Sequence, residues 1–539
     1  MPLPGHSGSI PAKKSTPSKT LTRQSAPPAK ATTREWIGLA VIALPCLLYS
    51  MDLTVLNLAI PAISAELKPT GAQLLWIVDI YGFMIAASLI TMGTLGDRIG
   101  RRKLLLIGAA AFGATSVLAA FSSSAEMLIA TRALLGIAGA TLAPSTLSLI
   151  RNMFADPRER TVAISVWVTS FSVGGAIGPL VGGVMLEYFW WGSVFLVGVP
   201  VMLLLLVLGP LLLPEYRDPK PGRIDVLSAL QSLVAVLAVI YGLKRIAEGG
   251  AGWLAVAFIA AGVLAGIAFV RRQRRLASPL IDLSLFRVPA FTAALIINVF
   301  CFFGAFATFL LTAQYLQLYL GMSPLQAGWW SVPGALGFVV GSLLAPTITR
   351  YVTPARAIAA SLAVAAFGFA VLTQIGRPQG LAVLVTGSVI FSLGLSPVAT
   401  LISDLIVSCA PPERAASAAA LSETSFELGG ALGIAVIGSI VTAVYRSAMA
   451  GEALAGVPSD AALVARSTLG GALAVASQLP GGAGAALLDA ARSAFADAFQ
   501  VAAGCSAVIV AATAVAAAWV LRQPGVAGQA EAASVGQRH

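Results

Sequence analysis

The sequence predicts an all-α integral membrane protein, and three observations predict it. Of its 539 residues 58% are hydrophobic and only 11% are charged, and the mean hydropathy is +0.88. A water-exposed surface would need far more Lys, Glu and Asp. Apolar runs of about 20 residues, the length that crosses a bilayer as a helix, recur about fourteen times. Lys and Arg gather in alternate connections between those runs, as the positive-inside rule requires of a multi-pass chain.

The runs fall at 37–59, 74–95, 104–122, 127–150, 161–186, 194–213, 226–243, 253–270, 290–318, 326–349, 357–375, 381–408, 415–443 and 497–521. They divide the chain into three blocks. Residues 36–213 make a first six-helix bundle, 214–287 hold two inserted helices between basic connections, and 288–522 make a second six-helix bundle. Residues 1–35 are rich in Pro, Ser, Thr, Lys and Arg and lack an apolar core. They predict a disordered basic tail, neither a signal peptide nor a folded domain. Residues 523–539 form a second tail.

With the N-terminus inside, the cytoplasmic connections carry clusters such as Arg98, Arg101, Arg102 and Lys103, or Arg271, Arg272, Arg274 and Arg275. Arg217, Lys220, Arg223, Arg350, Arg356 and Arg414 fall on the same side, and the opposite connections hold only scattered bases such as Lys68 and Arg377. Both termini are therefore expected in the cytoplasm. The net charge of +11 is accounted for by this topology, so no nucleic-acid partner is assigned to it.

Cys46, Cys301, Cys409 and Cys505 are scattered through apolar runs without metal-ligand or redox spacing, and the histidines are only His6 and His539. No metal site, cofactor or enzyme chemistry is expected from such a set. There is no phosphate-binding loop of the Gly-x-x-x-x-Gly-Lys-[Ser/Thr] type, so nucleotide hydrolysis is not the energy source. Any buried proton carrier must be a carboxylate.

Three stretches of the first bundle carry chemistry. Gly93-Thr94-Leu95-Gly96-Asp97-Arg98-Ile99-Gly100-Arg101-Arg102-Lys103 lies between two apolar runs; its glycines allow a tight turn, Asp97 can cap a helix end, and the bases hold the loop in water. Arg132 falls within the fourth run, where a guanidinium must face a water-filled interior, a carboxylate or backbone carbonyls. In the fifth run, Gly174, Gly178, Pro179, Gly182 and Gly183 let backbones approach closely and bend the helix, which suits a rocking interface between half-bundles. Simple small-residue packing is the plainer reading.

Together these stretches resemble, in order, the loop and antiporter motifs of the major facilitator superfamily. Met51-Asp52-Leu53-Thr54-Val55-Leu56-Asn57-Leu58-Ala59-Ile60-Pro61 resembles the first-helix signature of its fourteen-helix drug:proton antiporter branch, and Leu421-Ser422-Glu423-Thr424-Ser425-Phe426-Glu427-Leu428-Gly429-Gly430 resembles the thirteenth helix of QacA-type and SmvA-type multidrug exporters. Leu135 stands where the fourth-helix motif usually has Gln. Residues 326–349 contain no acid, whereas the QacA type carries one there that is associated with dications. Transport of dications is thereby put in doubt.

The resemblance implies a major facilitator fold of two six-helix bundles plus two inserted helices, in the inner or plasma membrane and functional as a monomer. It also implies an external hairpin at about 446–496, formed by Ala-rich stretches near 459–478 and 485–500 around Pro480-Gly481-Gly482. An extra span is the alternative there, disfavoured by that break and by Asp460, Arg466, Asp489 and Arg492.

Carboxylates inside the predicted spans are Asp52, Asp79, Asp404, Glu423 and Glu427, the last two spaced to share one helix face. Apolar surroundings favour the protonated carboxyl and a neighbouring cation favours the ionised one. An alternating site could therefore hold either protons or an organic cation. By the resemblance Asp52 and Glu423 lead as proton-coupling or cation-binding residues, with Glu427 and Asp79 supporting, and Asp404 and Arg132 as structural or coupling groups. Trp167, Phe171, Phe303, Tyr315 and Phe426, with Trp329 and Trp330, could offer aromatic faces to flat cations. The implied function is proton-coupled efflux of lipophilic organic cations such as quaternary ammonium antiseptics, dyes and intercalators. Alternatives are a dedicated exporter of an endogenous lipid or secondary metabolite, and a membrane sensor or scaffold that transports nothing; the last leaves the buried acids without purpose.

Overall fold

The computed structural model describes residues 30–217, 225–249, 252–276, 283–376, 378–410, 415–450, 457–479 and 482–521, with 279, 281 and 454. Among these the chain is helical, with no strand. Residues 1–29, the tail at 523–539, and Lys220, Arg223, Arg377, Arg414, Pro480 and Gly481 lie outside the described residues. The side chain of Asp97 is likewise not described.

The first bundle comprises α1 (Thr33–Leu67), α2 (Gly71–Ile99), α3 (Arg101–Ala120), α4 (Ala125–Gly139), α5 (Leu142–Met153), α6 (Pro157–Tyr188), α7 (Ser193–Leu196) and α8 (Gly198–Leu212). The inserted pair is α9 (Val226–Gly249) and α10 (Trp253–Gln273). The second bundle comprises α11 (Pro289–Phe303), α12 (Ala305–Gln314), a π-helical turn at Tyr315–Tyr319, α13 (Pro324–Tyr351), α14 (Pro354–Leu372), α15 (Gly380–Ser408), α16 (Ala415–Ala448), the short α17 (Ser459–Ser467) and α18 (Leu469–Ala476), and α19 (Gly482–Val520).

The ends of these helices follow from local chemistry. Capping boxes at Thr32/Glu35, Thr70/Gln73 and Ser323/Gln326 start α1, α2 and α13 by satisfying orphan backbone donors. The first of these moves the end of the N-terminal tail back to Thr32. Proline in the first turn, where its missing N–H costs nothing, opens α11, α13 and α14. Gly100, at φ +112°, separates α2 from α3 with a backbone conformation that a side chain would strain.

Twelve helical segments are long and apolar enough to cross a bilayer by length and composition, and shorter apolar stretches lie at Gln73–Leu89 in α2 and Leu227–Val239 in α9. The predicted spans all fall on these helices. The fourth is broken between α4 and α5, the sixth between α7 and α8, and the ninth at Gly304 and the π-turn. The hairpin region departs from expectation in two respects: its first stretch, 459–478, is broken into α17 and α18, and its second, 485–500, is not a separate helix but the start of α19. No proline interrupts the chain from there to the last span. At 39 residues α19 extends about 58 Å, well beyond an apolar layer of about 30 Å.

Each bundle has its own core. Residues from α1 to α8 pack around Ile42, Tyr49, Leu105, Leu128 and Leu149, and residues from α11 to α19 around Phe291, Leu362, Phe391, Leu395 and Phe499. The inserted pair lies over one seam between the bundles: Val236 and Leu237 of α9 pack with Trp76 and Phe83 of α2 and with Leu432 and Ala435 of α16. At the start of α9 a bidentate pair, Arg272 Nε and Nη2 to Asp225 at 2.8 and 2.9 Å, ties α10 back to it. Those bonds from Arg272 hold the Asp225 carboxyl well below the usual carboxylate range. Above that range the clamp does not titrate; it is lost only as pH falls through the depressed value.

The fifth-run glycines mostly serve the inside of the first bundle. A Cβ at Gly174 would meet the Leu47 carbonyl, at Gly178 the Thr54 hydroxyl, and at Gly182 the Val55 side chain, all on α1. Of these glycines only Gly183 faces the second bundle: a Cβ there would come within 2.8 Å of the Pro324 carbonyl of α13. Gly178→Leu is therefore expected to overpack the α1–α6 contact, costing about 1–3 kcal/mol. It should reduce turnover of every substrate alike, and thermal unfolding together with transport of two unlike substrates checks this; a loss confined to one substrate would count against it.

Candidate functional site

The polar groups inside the first bundle converge on Arg132 of α4. Its Nη1 donates to Asp52 Oδ2 of α1 at 2.7 Å, and its Nε to the Ile77 carbonyl of α2 at 3.1 Å. The guanidinium lies 4.7 Å from the centre of the Tyr81 ring. Arg132 is 1% exposed and Asp52 8%, so each charge is neutralised by the other in the low-dielectric interior. Asp79, two residues before Tyr81 on α2, is also buried.

From Tyr81 the chain of contacts leads across to the second bundle. The Tyr81 hydroxyl donates to the Tyr49 carbonyl at 3.5 Å, and the Tyr49 hydroxyl donates to Glu427 Oε1 of α16 at 3.4 Å. Glu427 is 3% exposed and enters the first bundle where α2 has no side chain: a Cβ on Gly82 would come within 2.9 Å of Glu427 Oε2. Glu423, one turn earlier on α16, is half-buried. The structure thus brings Asp52 and Arg132 into one pair, and sets Glu427 at the seam between the bundles.

Aromatic rings flank this seam on both sides. In the first bundle Tyr49 meets Phe171 edge-on at 5.6 Å, and Phe171 meets Trp167 at 4.9 Å. Trp167 is fixed by its Nε1 donating to Thr146 Oγ1 at 2.9 Å. In the second bundle Phe426 packs against Phe302 at 4.4 Å and Phe306 at 5.5 Å. Phe303 is half-buried beside Phe300. Tyr315 lies elsewhere, stacked on Tyr319 in the π-turn and edge-on to Phe499. Trp329 and Trp330 are on the surface, 58% and 44% exposed, and Asp404 is exposed on α15.

The charged loop between α2 and α3 is held by a residue that the sequence reading did not single out. Glu215, beyond α8, accepts from the backbone N–H of Arg102 at 3.1 Å and of Lys103 at 3.2 Å, a carboxylate at a helix N-terminus. A Cβ on Gly100 would strike it. Arg102 Nη1 in turn donates to the Pro210 and Leu213 carbonyls at the end of α8. Gly93 lies against Pro144 of α5, Arg101 Nη1 donates to the Pro144 carbonyl at 3.3 Å, and Arg98 is exposed. Tyr49 and Tyr81 were also missed as site residues, although Tyr49 stands three residues before Asp52 on one helix face. Among the described residues no group of three or more His, Cys, Asp or Glu could hold a metal ion.

Comparison with known proteins agrees with this architecture. Residues 42–434 match the Major Facilitator Superfamily. The multidrug efflux pump LfrA of Mycolicibacterium smegmatis is 43% identical over 466 residues, covering 86% of this chain and 92% of that protein. The methyl viologen resistance protein SmvA of Salmonella typhimurium is 34% identical, covering 86% of this chain and 93% of its own length. Among solved structures, a bacterial homologue of the human lysosomal transporter Spinster, inward-facing and unoccupied, superposes with a TM-score of 0.63 over 93% of this chain and 99% of that one, at 17% identity. The last likeness concerns the fold alone. The chain belongs to the major facilitator superfamily and is a multi-pass membrane transporter whose relatives include a multidrug efflux pump and a methyl viologen resistance protein.

Proposed function

We propose that the chain is a proton-coupled multidrug antiporter of the inner or plasma membrane, with both termini cytoplasmic, that exports lipophilic organic cations in exchange for protons. The observation that carries this reading is the position of Glu427: a buried acid of one bundle, reaching between Tyr49 and Gly82 of the other. A group at that seam is exposed to a different surface whenever the bundles rock. Glu423 beside it is half-buried, and the rings of Tyr49, Phe171, Trp167 and Phe426 supply faces for a flat cation.

In this scheme Asp52 is not the first acid to meet the guest, because Arg132 already neutralises it. Its role is to hold α1 and α4 together around Tyr81, which places Tyr49 opposite α16. A cation arriving beside Glu423 and Glu427 displaces a proton, and the loaded site turns to the other face. There the cation leaves and a proton returns. The names of the relatives, a multidrug efflux pump and a methyl viologen resistance protein, support export of cationic drugs. Methyl viologen is itself a dication, which makes it the informative probe for the dications placed in doubt by the acid-free α13.

Efflux of a fluorescent monocation from energised vesicles should stop when a protonophore is added. Efflux that continued on a sodium gradient, with the proton gradient collapsed, would show the coupling ion to be wrong.

A further inference from the structure

The bundles interlock at the ends away from the N-terminus. Leu58 of α1 is buried in the core of the second bundle, and Leu310 of α12 is buried in the core of the first. Just after α12 the chain leaves α-helical geometry: residues Tyr315–Tyr319 form a π-helical turn. Such wide turns carry an extra residue and recur at functional positions. Here the turn carries Gln317, whose Nε2 donates to the Leu58 carbonyl at 3.0 Å across the seam. Nearby, Gly183 of α6 abuts Pro324 of α13, and Gly328 abuts the Pro179 carbonyl.

We propose that Gln317 is a positioning residue for the transport cycle, its side-chain amide latching the π-turn to α1 and so weighting the equilibrium towards the state closed at this face. The physical logic is that of any two-state device. A bond present in one state and absent in the other biases the population by its net worth and no more. The Leu58 carbonyl sits on the first bundle and the Gln317 amide on the second, so opening this face must separate them. Opening the face lets water replace the broken bond, so what the amide contributes to the closed state is the net worth of one hydrogen bond. The stacked pair Tyr315 and Tyr319, 4.5 Å apart, stiffens the turn that presents it. The inference rests on the rocking motion of the superfamily and not on the identity of the cargo or the coupling ion.

The test reads opening directly, without drug. In full-length protein whose four native cysteines are replaced, Leu310→Cys puts one thiol inside the seam. Membrane vesicles of known sidedness are treated with a membrane-impermeant maleimide at the face opposite the N-terminus. The labelling rate scales with the fraction of time that face is open. Gln317→Met, which keeps the volume but loses the donor, and Gln317→Ser, which is too short to reach, should each label about fivefold faster, the weight of one such hydrogen bond. Unchanged rates in the Met and Ser variants overturn the proposal. So does a rise equal from both membrane faces, which would mark general loosening in place of opening at one side.

Discussion

Glu427→Gln is expected to remove the pH dependence of cation binding while leaving the protein folded in the membrane. The amide keeps the shape of the side chain and can still accept from the Tyr49 hydroxyl, so the contact at 3.4 Å survives in outline. What disappears is the ability to exchange a proton for a cation. If one carboxylate takes either guest, cation affinity in the parent protein falls as pH is lowered, by up to about tenfold per pH unit for one competing proton. In the variant that slope should flatten and drug-driven proton release should fall to background. Glu423→Gln is expected to weaken cation binding with less effect on the slope, because Glu423 is half-buried and it is Glu427 that accepts from the Tyr49 hydroxyl. Fluorescence titration of a dye at several pH values measures both; a parent-like slope in both variants would return the coupling role to Asp52, Asp79 or Asp404.

The second large effect concerns stability. Arg132→Leu leaves Asp52 in an interior where it has lost the partner now 2.7 Å away. Removing one member of a buried pair costs about 3–5 kcal/mol, because the remaining charge is neither solvated nor compensated. The single variant should unfold at markedly lower temperature in detergent and transport nothing. Combining it with Asp52→Asn removes the stranded charge as well, so much of the lost stability should return, since exchanging both partners of a buried pair for neutral groups is often close to neutral. Thermal unfolding of the two singles and the double gives the coupling between the residues. Additive effects would mean that the pair does not hold the bundle as described.

The apolar helices and the burial of Asp52, Asp79 and Glu427 were legible in the sequence, because hydropathy and charge are local properties that a membrane sorts by depth; Asp404 lay in an equally apolar run, and only the fold shows it exposed. The alanine-rich hairpin was legible as helix, but not the continuity of α19, since nothing local marks where a helix that starts outside the apolar layer enters it. The pairing of Asp52 with Arg132 was foreshadowed only as a demand: a guanidinium at that depth needed water, a carboxylate or backbone carbonyls, and residues 80 apart in the chain carry no signal of which would meet it. The same holds for Tyr49 and Glu427, separated by 378 residues. Glu215 went unread because a lone acid after a span looks like any solvated loop residue, and only the fold places it on the N–H groups of Arg102 and Lys103.

The most direct test of proton-for-cation exchange at α16 is proton release on addition of a lipophilic monocation, followed with a pH-sensitive dye in a weakly buffered solution of the purified protein. The parent protein should release protons in proportion to the cation bound, with Asp52→Asn still releasing when it remains folded, and Glu427→Gln releasing none. Stoichiometric release from Glu427→Gln, or binding without release by the parent protein, would contradict the account.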